Sequence, residues 1–125
     1  MASNTRFPIR FDAAYGLLSR ALLLPPTDSF VELDGDEVQV RMAWAFVARF
    51  PRWAVRSSGM YGRKPLSRGV HGWAGRWLVN GSGQGIVALE LAPGQRASVV
   101  GYPVRLQELL VSVEDPPGLM AALAG

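Results

Sequence analysis

The chain has no cysteine and a single histidine, His71, among its 125 residues. Without thiols there is no disulfide framework, no cysteine nucleophile and no thiolate metal site. One imidazole excludes a multi-histidine metal centre, and it leaves His71 as the only base a Ser-His-Asp arrangement could use. Hydrophobic runs such as Ala21–Leu24 are far too short to cross a bilayer. The opening MASNTRFPIRFD lacks the apolar core of a signal peptide. These absences predict a soluble, cytoplasmic protein. Internal repeats and low-complexity tracts are missing too. So is any alternation of strands with helices, which argues against a parallel doubly wound sheet.

Acidic residues are absent from all of Val38–Leu89, which carries Arg41, Arg49, Arg52, Arg56, Arg63, Lys64, Arg68 and Arg76. The remainder holds five Arg and ten acids, for a net charge of +3. Such segregation draws anionic partners if the cations share a face. The simpler outcome is that acids from distant segments neutralise them across neighbouring strands.

What is present describes a globular domain. Hydrophobic residues make up 49% and charged residues 18%, and the size suits one domain over residues 1–125, with 1–6 expected to be flexible. The FPIRF segment reads as an edge strand, where Pro8 is tolerated. Asp12 is a candidate N-cap for a helix over 12–23 that Pro25-Pro26 ends. Ser29–Leu33 reads as a strand and Asp34-Gly35-Asp36 as a turn. The run from Glu37 to Phe50 alternates Val38, Val40, Met42, Trp44, Phe46, Ala48 and Phe50 on one side. At ~45 Å fully extended it is too long for one small-domain strand, so it curves or breaks near Ala43–Ala45. Arg52–Ser57 is another strand, with Trp53 inward.

A hairpin is expected over 68–91, with Trp73 and Trp77 on one side and Asn80-Gly81 opening its turn. Pro93-Gly94 and Tyr102-Pro103 are read as further turns, and Arg105–Val113 as the last strand. Asp115 at N-cap, followed by Pro116 at the first helical position, starts a C-terminal helix. The class expected is α+β, mainly β: a small antiparallel split barrel of about seven strands, capped by the C-terminal helix and preceded by a short N-terminal one.

The closing segment LQELLVSVEDPPGLMAAL, Leu106–Leu123, resembles the end of bacterial pleckstrin-homology-like (PH-like) domains. In that family a final strand meets an acid-Pro step and runs into a helix that caps a seven-strand split barrel. The resemblance implies that fold, but no activity, since many bacterial members have none assigned and the fold hosts unrelated roles. Phosphoinositide-binding eukaryotic members place Lys and Arg in the first hairpin. Here that turn is the acidic LDGDE of Leu33–Glu37, which argues against an inositol-phosphate role. The N-terminal helix would be an addition to the family pattern.

Two kinds of site can be drawn from the residues. Arg49, Arg52, Arg56, Arg63, Lys64 and Arg68, with Trp53 and Tyr61 between them, form a candidate face for an anionic ligand, a protein or peptide partner, or a second copy of the chain. Nucleic acid and membrane surfaces fit less well, because aromatic interleaving is thin and no RNA-binding signature is present. Alternatively, His71 and Trp73 border a pocket lined by Trp44, Trp53, Trp73 and Trp77, with His71 handling a proton. Ordinary core packing of the four Trp is the plainer alternative. NGSGQG at 80–85 lacks the lysine and following helix of a phosphate loop, and the acids around Asp34 lack Ca²⁺-loop spacing. No catalytic set assembles and no metal or cofactor is implied. A non-catalytic interaction module is therefore expected.

Overall fold

The structure is a computed structural model that describes residues 4–13, 28–62 and 69–124. Nine strands are described: β1 (Asn4–Pro8), β2 (Ser29–Asp34), β3 (Glu37–Met42), β4 (Phe46–Pro51), β5 (Val55–Met60), β6 (Gly69–Trp73), β7 (Arg76–Asn80), β8 (Ile86–Val99) and β9 (Tyr102–Ser112). A 3₁₀ turn at Arg52–Ala54 links β4 to β5, and helix α1 spans Pro116–Ala124. The expected N-terminal helix over 12–23 falls almost wholly outside the described residues.

The period-2 pattern holds where it was clearest. Val38, Val40, Met42, Phe46, Ala48 and Phe50 are all buried. The long run breaks at Ala43–Ala45, where Ala43 takes φ 47°, and β3 folds back on β4 with Met42 opposite Phe46. Trp44 is carried outward by that turn. β1 to β4 form an antiparallel meander, with the β2–β3 turn at Gly35, φ 61°.

β8 organises the rest. Its first half pairs with β5, Leu91 opposite Val55, and its second half with β4, Ala97 opposite Ala48. Along its other edge runs β9, with a register shift between Glu90 and Gln95. Pro93 sits in that gap, where no neighbour claims a backbone N–H, so a proline survives inside a central strand. The single strand replaces the turn expected at Pro93-Gly94. The chain reverses instead at Val100-Gly101, with φ 50° and 82°, a two-residue loop with both central residues left-handed, as strand twist favours.

The hairpin also differs from the one expected. Its turn is Ala74-Gly75, φ 54° and 85°, joining β6 to β7. β7 does not pair with β8; it lies parallel to β9, Trp77 opposite Leu109. Asn80 is buried and donates from Nδ2 to the Ser82 carbonyl at 2.9 Å. Gly81 donates its N–H to Ser112 Oγ at 3.0 Å, and a Cβ there would strike the Phe11 ring. Residues 81–85 are thus a crossover sewn to β9. The expectation of about seven strands, all antiparallel, is corrected to nine with one parallel pair.

The path β1-β2-β3-β4-β8-β9-β7-β6 is an open sheet and not a closed barrel. Isolated bridges Ile9–Val113 and Phe11–Gly81 bring the segment after β1 onto the ends of β9 and β7. Inside the curve lie Val31, Phe46, Val87, Leu89, Leu109 and Val111, closed over by Leu119 of α1, which is fully buried. Asp115 starts α1 as expected, its Oδ1 accepting the Gly118 N–H at 3.1 Å.

Candidate functional site

Of the basic set read from the sequence, three members are described, and two of them have partners. Arg49 is exposed on β4, its Nη1 3.8 Å from Glu37 Oε1. Arg52 is half-buried in the 3₁₀ turn and donates from Nη2 to the Ala122 carbonyl at 2.6 Å. It thereby satisfies an end carbonyl of α1, as a cation at a helix C-terminus does. Arg56 is exposed on β5. Arg63, Lys64 and Arg68 lie outside the described residues.

Among the described residues, three cations of the acid-free stretch, Arg41, Arg49 and Arg76, lie beside acids. Arg41 Nε lies 3.5 Å from Asp28 Oδ1, an ion contact without a hydrogen bond. Arg76 Nε donates to Glu108 Oε1 at 2.6 Å across the parallel β7–β9 pair, with its guanidinium over the Tyr61 ring. Arg6 reaches Glu32 at 2.8 Å across β1–β2 and stacks on Phe30. Acids contributed by segments distant in sequence neutralise cations on neighbouring strands.

The second candidate site is also changed. Trp44 is 53% exposed and Trp53 67%. The inward reading of these two is corrected, because a turn and a 3₁₀ segment interrupt the alternation at both. Trp77 is half-buried, donating from Nε1 to the Arg105 carbonyl at 3.2 Å. His71 is exposed on β6, paired with Leu78, and Trp73 ends β6 opposite Arg76. A cleft of about 650 Å³ involves one of these Trp, bordered by Asp36, Pro51, Arg52, Trp53, Val55 and Leu123. No His71 side lines it. Among the described residues no group of three or more His, Asp or Glu could hold a metal ion, and no helix is long and apolar enough to cross a membrane.

One cationic pair was missed. Arg96 and Arg105 lie directly opposite each other on β8 and β9. Both are exposed, and no acid pairs with either among the described residues. They border a cleft of about 480 Å³ with Gly94, Gln95, Pro103 and Val104. At Gly94 a Cβ would come within 3.2 Å of Arg105 Nε, so the Arg105 side chain lies close against the glycine. The β4–β8 ladder ends at Ala48–Ala97, one step before Arg49 and Arg96. The three Arg therefore belong to the same outward face as the strands diverge. The sequence signal was the spacing of Arg96 and Arg105 about Val100-Gly101, legible only once the turn is placed there.

No family model, curated protein or solved structure matches the chain.

Proposed function

We propose that the chain is a non-catalytic interaction module that binds an anionic protein or peptide partner through the outward face of β8–β9. The observation that carries this is the opposition of Arg96 and Arg105 with no acid between them. Like charges directly across an antiparallel pair are unfavourable, and an anion placed between two guanidinium forks reverses the sign of that interaction. Arg49 extends the face, and Arg56 remains a peripheral contributor. A PH-like relationship is supported by the Asp115-Pro116 step from β9 into α1 and by Leu119 in the core. Nine strands and the parallel β7–β9 pair depart from that pattern. A cytoplasmic setting suits a chain without cysteine.

Titration with a Glu-rich peptide at low and at high salt tests the reading. Binding is expected to weaken steeply with salt and to be lost in the Arg96→Ala/Arg105→Ala double variant. Salt-insensitive binding, or binding untouched by that variant, would reject it.

A further inference from the structure

We infer, building on the reading above, that the partner of the Arg96–Arg105 pair is the Asp34–Asp36 turn of a second copy of this chain. The β2–β3 turn is the chemical complement of the cleft. Asp34 and Asp36 are exposed, and neither carboxylate has an ion-pair partner among the described residues. Between them Gly35 holds φ +61°, with nothing within 4 Å of where its Cβ would be. The turn is therefore open at Gly35, while Asp36 behind it borders a cleft and accepts the Arg52 N–H at its carbonyl. Among the described residues, one molecule carries two guanidiniums at a cleft and two carboxylates at an exposed turn, none of them in an ion pair.

Apolar surface accompanies each half. Asp36 shares its cleft with the exposed Trp53 and with Leu123. The β8–β9 turn beside the Arg pair exposes Val100 at 55% and Tyr102 at 75%. Exposed aromatics around a charged contact exclude water and supply the part of an interface that ions alone do not. A single contact leaves one copy with a free turn and the other with a free cleft, and these two close either on each other about a two-fold axis or on further copies in a ring or open chain.

The salt dependence has a definite sign. Copies of net charge +3 repel, and association through apolar contact alone strengthens as salt screens that repulsion. Association through Asp–Arg contacts weakens with salt.

The test is sedimentation velocity on the full chain over a concentration series, at low and high salt, with two charge-swapped variants. Arg96→Glu/Arg105→Glu and Asp34→Lys/Asp36→Lys are each expected to associate about tenfold or more weakly than the parent. Mixing the two variants is expected to restore association, since each cleft then meets a turn of opposite charge. Circular dichroism of the exposed-site variants checks that both fold. Parent chain that stays monomeric throughout, while the Glu-rich peptide still binds Arg96 and Arg105, overturns the self-association and leaves the functional reading standing. Loss of both overturns both. Association that neither swap weakens, or that mixing does not restore, overturns the Asp–Arg pairing.

Discussion

Two ribbons of this sheet carry arginine on their outward face and treat it in opposite ways. In the β1–β4 meander, Arg6 is met by Glu32 and Arg49 by Glu37. In the β8–β9 ribbon, Arg96 is met by Arg105. The meander takes Arg41 and Arg49 from the acid-free stretch, yet each lies beside an acid. Arg96 and Arg105 lie outside that stretch, yet they face each other with no acid paired to either among the described residues. Charge along a chain and charge over a surface are different quantities, and strand register converts one into the other. A partner meets only the second.

The harshest way to break the comparison is to remove the core the two ribbons share. Leu119→Ala empties a fully buried site beneath the sheet and is expected to cost about 2–5 kcal/mol. Chemical denaturation should show one cooperative transition, lost from both ribbons together. Separate transitions would mean that they are independent bodies.

Arg52→Ala comes next. It removes the hydrogen bond to Ala122 and leaves a helix-end carbonyl without its charged donor, at an expected cost of about 1–2 kcal/mol. Binding of the Glu-rich peptide should be unchanged at temperatures where the variant is folded. A stable variant with weakened binding would return Arg52 to the ligand face.

The smallest effects separate the ribbons by sign. Glu32→Ala strips the meander of a cross-strand ion pair and should destabilise by several tenths of a kcal/mol. Arg105→Thr relieves like-charge opposition and should stabilise by a similar amount. Thermal melts at low salt resolve the two, and high salt should shrink both. The same sign for both would dissolve the distinction.

Much of the β architecture was readable from residues. Val38, Val40 and Met42 against Gln39 and Arg41 spelled out β3, Asp34-Gly35-Asp36 marked its turn, and Asp115-Pro116 marked the start of α1. These signals are local: a face, a positive φ, a cap. What was not readable was decided at long range. Asn80-Gly81 has better turn chemistry than Ala74-Gly75. Asn80 is nevertheless buried and bonded to the Ser82 carbonyl, while β7 spends its backbone on β9. Trp44 and Trp53 continue the alternation on paper, and a turn and a 3₁₀ segment carry them outward. Pro93 looks like a strand end, yet it falls where neither edge of β8 needs an N–H. The Arg96–Arg105 pair depends on a register set by Val100-Gly101, a turn whose non-glycine residue gives no local warning.

The most direct measurement is a map of backbone amide shifts as the Glu-rich peptide is titrated into the full chain. Shifts are expected at Gly94–Ser98 and Val104–Gln107, with Arg49 at their margin. Shifts confined to Arg52–Met60, with β8–β9 silent, would contradict the assignment of the anion-binding face to the opposed pair.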